Sequence, residues 1–420
     1  MDSTAELTSG GTQAPQVFDL TTTLPVPAGF GAIERATAGL DAPLVVVDLA
    51  AMALNAADLL RRAAGKPVRI ASKSLRCRSL IESALALPGF RGVLAYTLAE
   101  ALWLADRIDD VVVGYPTADA SSLRRLAADE RLAARVTLMV DSVEQLEYLD
   151  RVLGTGGPQI RICLDLDASL EYFGGAVHLG ARRSPLHGRS QAVALARAVD
   201  ARPRLHLVGM MSYEAQIAGV GDNAPGSAFG RAQIRLMQRF SAAELRGRRA
   251  AVVAAVRQVA DLEFVNGGGS GSVAETAAED CITEIAAGSG LYAPVLFDRY
   301  RSFQPVPAVY FGLAVTRRPT GGMVTVHGGG WIASGPAGAD RSPTPVWPEG
   351  LRMTGLEGAG EVQTPLAGKA ADGLAVGDRV WFRHAKAGEI CEHRNTVHVI
   401  DGDRLIGEVP TYRGEGQAFL

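Results

Sequence analysis

From Pro43 onward the chain alternates short β-branched apolar runs with amphipathic stretches, and this rhythm limits the possible folds more than any other feature. LVVVDL (44–49) reads as a buried strand, and the residues from Ala50 to Ala64 read as a helix. VRIAS (68–72) repeats the strand signal, and CRSLIESALAL follows at helical spacing. GVLAY (92–96), DVVVGYP (110–116), VTLMVD (136–141), IRICLDL (160–166) and LHLVGMMSY (205–213) continue the series. A helix between two strands carries the chain back to the edge it left, so the strands pair in parallel. Seven or eight such units before residue 300 favour a closed (β/α)8 barrel over a doubly wound sheet.

After Tyr300 the helical period disappears. AVYFGLAVTRRP, GMVTVHGGGWIAS and DRVWFRH predict a mainly antiparallel β domain. The expected division is an N-terminal arm over 1–39, a barrel over 40–300 and a β domain over 301–420. Residues 1–16, rich in Ser, Thr, Gly and Pro, are expected to be disordered or an arm that packs on the β domain. A short helix is expected over 28–39.

Charge and composition narrow the function classes. A net charge of −3 over 420 residues leaves no electrostatic footprint for nucleic acid or an acidic membrane. No apolar run approaches the length needed to cross a bilayer, and MDSTAELTSGGTQAPQVF lacks the apolar stretch of a signal peptide. The cytoplasm is therefore the expected location. Cys77, Cys163, Cys281 and Cys391 are far apart with no CxxC pair, as expected for reduced thiols.

Three segments carry chemistry. In RIASKSLR (69–76), Lys73 follows a predicted strand at the end where barrels build their sites. A partly desolvated lysine loses basicity and attacks a carbonyl to form a Schiff base, although a solvated strand-end lysine has the same sequence signature. NGGGSGS (266–272) and AAGSGLY (286–292) each place Gly and Ser at a strand C-terminus, where amides and hydroxyls can hold an anion. Neither is a dinucleotide fingerprint or a P-loop.

Together these segments resemble the fold type III, alanine-racemase-like enzymes that use pyridoxal phosphate, most of all the D-threonine aldolase / D-serine dehydratase family. The likeness spans about residues 40–400. APLVVVDLAAMALN is similar to the family's first strand, with Asp48 and Asn55 at the usual spacing. RIASKSLR resembles the Arg-Pro-His-x-Lys-Thr-His-Lys stretch, which implies the Schiff-base role for Lys73 and a cofactor contact for Arg69. VGMMSYEAQIAG resembles the strand ending in Tyr-Glu beside the cofactor ring, which implies Tyr213 and Glu214. NGGGSGS and TEIAAGSGLY resemble paired phosphate loops, implying Gly269, Ser270, Gly271, Gly288, Ser289 and Tyr292.

The resemblance implies a homodimeric lyase acting on a small amino acid, usually of D configuration, with the β domain helping to close the site. Retro-aldol cleavage of Cα–Cβ in a β-hydroxy α-amino acid is the expected reaction. β-Elimination by a dehydratase, racemisation and a non-catalytic pyridoxal-phosphate-binding role are the alternatives. The chain also departs from the family. Ala71 and Leu75 replace its two histidines, so His206, His178, Tyr213 and Glu214 become the candidate acid–base groups. In GDRVWFRHAKAGEICEHRN (377–395) the family's metal-binding His-x-Cys becomes Glu389-x-Cys391, near His384 and His393. Cys391 with Glu389 is the expected ligand set for zinc or manganese, or Glu389 instead pairs with Lys386. Trp331 or Asp340, in GGGWIASGPAGADR, is a further candidate for the pocket lining.

Overall fold

A computed structural model describes residues 15–21, 25–172 and 176–420. The first apolar run, β1 (Leu44–Asp48), is buried throughout but stands outside the barrel. It pairs antiparallel with β12 (Val309–Arg317) and parallel with β18 (Thr396–Asp401) of the C-terminal sheet. Leu44 and Val46 pack with Ile33, Trp381 and Ile400, while Val45 and Val47 join the main core. With both faces covered the run has no alternation, so its sequence suits either sheet equally. The expectation that it opens the barrel is corrected by this pairing.

The barrel begins at β2 (Val68–Ala71). It continues through β3 (Phe90–Ala95), β4 (Val111–Val113), β5 (Val136–Val140) and β6 (Ile160–Asp165). A small hairpin, β7 (Leu170–Tyr172) and β8 (Val177–Leu179), interrupts the series before β9 (Leu205–Ser212), β10 (Phe264–Gly267) and β11 (Glu284–Ala287). All neighbours pair in parallel, and β11 closes on β2. Val112, Met139, Cys163, Val208, Met211 and Phe264 fill the lumen, with Leu94 and Tyr213 against them. Successive side chains on a strand alternate between faces. Asp141, Asp165 and Tyr213 therefore follow Met139, Cys163 and Met211 on the inward face, one step closer to the mouth.

The C-terminal sheet has nine strands: β1, β12, β13 (Met323–His327), β14 (Thr344–Trp347), β15 (Arg352–Met353), β16 (Gln363–Ala367), β17 (Arg379–Arg383), β18 and β19 (Arg404–Pro410). Only β1 and β18 pair in parallel. The predicted N-terminal helix spans Phe30–Ala36 and lies on this sheet, where Glu34 accepts a 2.6 Å hydrogen bond from Trp381 Nε1 and pairs with Arg379. Residues 1–14 lie outside the described residues.

Two motif residues fix the seam between barrel and sheet. Asp48 caps the helix Leu49–Arg62 through Ala51 N and accepts a 2.6 Å bond from Ala28 N. Asn55 donates to Leu291 O and Val306 O and accepts from Val306 N, so the chain leaving the barrel is held at three points. Among the described residues no helix is long and apolar enough to cross a membrane.

Candidate active site

A cavity of about 1090 Å³ lies at the C-terminal mouth of the barrel and is closed on one side by the β domain. Lys73 sits in its wall on the 3₁₀ turn Ser72–Ser74, which continues directly from β2. Ser72 ties the turn to β3 by donating to Leu94 O at 3.1 Å. From the β domain, Gly388 at φ +96° presses against the Lys73 carbonyl so closely that a Cβ there would overlap it. Both domains thus set the turn.

Lys73 Nζ donates a 2.7 Å hydrogen bond to Tyr115 Oη, from the end of β4. Burial pushes the Tyr115 phenol up, but the facing ammonium and its hydrogen bond outweigh this and hold it below its ordinary value. Asp165 and Asp141 face the cavity from neighbouring strand ends. Burial, then the charge of Asp141, raises the Asp165 carboxyl to about 7, with Arg183 opposing. Tyr213 also lines the cavity, its phenol raised to about 12 by burial and by Glu214.

The two glycine–serine loops meet at this mouth. Gly269, Ser270, Gly288 and Ser289 line the cavity. Ser289 Oγ donates to Ser270 Oγ at 3.3 Å, and Ser270 Oγ accepts from Gly290 N at 2.9 Å. A Cβ on Gly288 would stand 2.6 Å from Ala71 O, and one on Gly269 would stand 3.0 Å from the Tyr213 ring. These contacts require glycine for close approach.

Other expected site residues lie elsewhere. Gly271 is behind the cavity wall, where a Cβ would meet Ala218 O at 2.5 Å and the Tyr300 ring at 2.7 Å. Tyr292 is fully buried and donates its hydroxyl to Leu75 O. Arg69 is buried below the mouth, bonded through Nε to Glu284 (2.7 Å) and through Nη1 to Asp110 (2.8 Å), so it closes the barrel core and does not reach the cavity. Glu214 is buried under the loop, accepting from Gly268 N, Ser272 Oγ and Thr276 Oγ1 and pairing with Arg249 at 3.1 Å. It positions the loop. His206 is the second residue of β9, at the end of the strand away from the mouth.

The C-terminal turn does not assemble the expected ligand set. Glu389 lines the cavity and accepts a 2.9 Å bond from Ser334 N. Cys391 points into the core against Tyr292 and Cys77, where burial pushes its thiol up and disfavours the thiolate a metal needs. His384 is buried and driven down to about 3 by desolvation. His393 stacks on Trp331 at 4.9 Å. Lys386 and Glu389 do not pair directly but flank Ser334, Lys386 donating to its hydroxyl at 3.3 Å. Asp340 engages Arg341, and Arg341 and Ser334 reach the cavity in place of Trp331 or Asp340.

Tyr115, Asp141, Asp165 and Arg183 are cavity residues that the motifs did not single out. The first three did carry a signal: polar residues at the C-terminal ends of barrel strands, where sites are built.

A parallel eight-stranded barrel with a lysine at its mouth, capped by an antiparallel-rich sheet, defines the class. The chain belongs to the alanine racemase, N-terminal domain family, whose sequence profile matches residues 47–293. It is 27% identical over 257 residues to a 3-hydroxy-D-aspartate aldolase of Paracoccus denitrificans, covering 60% of each chain. It is 25% identical over 270 residues to a D-threonine aldolase of an Arthrobacter species, covering 63% of this chain and 64% of that one. The matched region is thus less than two thirds of these relatives' length. Among solved structures, D-threonine aldolase from Filomicrobium marinum superposes with a TM-score of 0.74 at 22% identity, over 89% of this chain and 96% of that one. D-threo-3-hydroxyaspartate dehydratase from Delftia sp. HT23 gives 0.67 at 19% identity, over 89% and 98%. These two likenesses bear on the fold.

Proposed function

We propose that the chain is a pyridoxal-phosphate-dependent lyase that cleaves the Cα–Cβ bond of a β-hydroxy α-amino acid by a retro-aldol reaction. One observation carries this reading: Lys73, bonded to Tyr115, shares a cavity with two glycine–serine loops whose hydroxyls converge at 3.3 Å. The cavity fits the cofactor. Its two loops bring serine hydroxyls and main chain together in the wall, where they can hold a phosphate, and a lysine stands in the same wall. The likeness to the two aldolases supports the choice of reaction.

Lys73 Nζ would hold the cofactor covalently, while Ser270, Ser289 and the backbone of Gly269 and Gly288 would hold its phosphate. When bound, pyridoxal phosphate supplies the electron sink for the pair released from the broken bond. Tyr115 stands beside Lys73 and is the group placed to take the proton of the β-hydroxyl as that oxygen becomes a carbonyl. Tyr115→Phe should lower kcat about 100-fold and leave KM nearly unchanged.

Incubating the purified protein with the D and L forms of threonine and serine tests the reaction. An aldehyde plus glycine from a β-hydroxy amino acid is the expected result. A keto acid and ammonia would replace retro-aldol cleavage with β-elimination, and unchanged substrates would remove both.

A further inference from the structure

Resting on the pyridoxal phosphate reading above, we infer that Asp165 is the partner of the cofactor's ring nitrogen and keeps that nitrogen protonated. In the closed barrel β6 is the fourth strand from β2 in either direction, so its end lies across the mouth from the turn that carries Lys73. Asp165 ends β6, follows Cys163 on the inward face and lines the cavity. In pyridoxal phosphate the ring nitrogen is opposite the carbon that bears the aldehyde, and the phosphate arm leaves a neighbouring carbon. The cavity repeats that order. Gly288 and Ser289 follow β11, which adjoins β2, while the Asp165 carboxyl stands on the far side from the lysine.

The Asp165 carboxyl is also free to take this role. Among the described residues no hydrogen bond or ion pair reaches it, and Ser184 Oγ bonds its main-chain oxygen instead. The neighbouring carboxyl, Asp141, is already bonded to Gln145. Arg183 has only donors, which a protonated nitrogen cannot accept. The groups facing Asp165 are Asp141 from β5, Asp167 from its own segment, Arg183 from the segment after β8 and Tyr115 from the end of β4. Burial and Asp141 together hold the carboxyl up at about 7, so the partner it lacks is a cation.

A ring nitrogen brought against Asp165 supplies that cation. The carboxyl O–H bond breaks as the N–H bond forms, which leaves a carboxylate paired with a pyridinium. A protonated ring draws the electron pair of the broken substrate bond more strongly than a neutral one.

The test compares the affinity of the full chain for pyridoxal phosphate and for its 1-deaza analogue, which has C–H in place of the ring nitrogen. Both compounds carry the aldehyde and the phosphate, so Lys73 and the serine loops contribute alike and the ratio isolates the nitrogen contact. The parent should prefer pyridoxal phosphate at least about tenfold, as a hydrogen bond between charged groups provides. Asp165→Ala, its fold checked by circular dichroism, should bring the two affinities together. Nitrogen-15 magnetic resonance of the parent loaded with ring-labelled cofactor needs no variant and should show a protonated nitrogen. Equal affinities in the parent, a preference that survives Asp165→Ala, or a neutral nitrogen would each overturn the contact and leave the cofactor assignment standing. A parent that takes up neither compound would overturn the assignment and the contact together.

Discussion

The glycine–serine loops at the barrel mouth and the turn Gly388–Glu392 of the β domain both press on the segment that carries Lys73, yet they shape the cavity by different means. Gly288 approaches Ala71 O, and Gly388 approaches Lys73 O. The loops then act through main chain and short hydroxyls, whose direction follows from the backbone. The turn acts through longer side chains on a 3₁₀ helix, Glu389–Glu392, where residues two apart are rotated well away from each other at three residues per turn. Glu389 consequently faces the cavity and Cys391 faces the core. A donor-x-donor pair shares a side on a strand but not on such a turn.

Substitutions at the two regions sharpen that contrast. Glu214→Ala should have the largest effect, because it removes the anchor of the first loop and leaves Arg249 buried with one fewer partner. A loss of about 3–5 kcal/mol in urea unfolding is expected, as for one half of a buried pair. A loss below about 1 kcal/mol would show that the loop does not depend on the anchor. Gly271→Val comes next. Its side chain would meet Ala218 O and Tyr300, not the anion's place, so it should displace the loop and raise the dissociation constant for pyridoxal phosphate at least about tenfold. Fluorescence titration with pyridoxal phosphate measures it, and unchanged affinity would move the cradle elsewhere. Cys391→Ala should be the mildest, costing about 1–2 kcal/mol of packing in urea unfolding and leaving turnover intact. Turnover abolished in this variant would restore the thiol to the chemistry.

Much of the fold was legible in the sequence because strands covered by helices on one face and packed into a lumen on the other are apolar, short and regularly spaced. Six of the eight barrel strands, β2 to β6 and β9, declared themselves this way, and β10 and β11 were marked by the glycine loops after them; β1 did not declare its sheet, since burial on both faces leaves no trace of which sheet provides the partners. Lys73 was legible from its place after β2. Arg69, four residues earlier on the same segment, was not, because its role depends on Glu284 and Asp110, which come from strands far along the chain. Glu214 likewise sits beside Tyr213 in sequence but faces away from the cavity, into a network whose members lie 35 to 62 residues downstream. Tyr115 went unmarked because a tyrosine after a strand becomes informative only once the lysine opposite it is placed.

The central claim is that Lys73, among all the lysines of the chain, carries the cofactor. Purified protein would be loaded with pyridoxal phosphate, reduced with borohydride, digested and mapped by mass spectrometry. The account predicts one pyridoxyl label, on the peptide containing Lys73, and no label in Lys73→Ala. A label on Lys386, the other lysine of the cavity wall, or no stable label at all would contradict it.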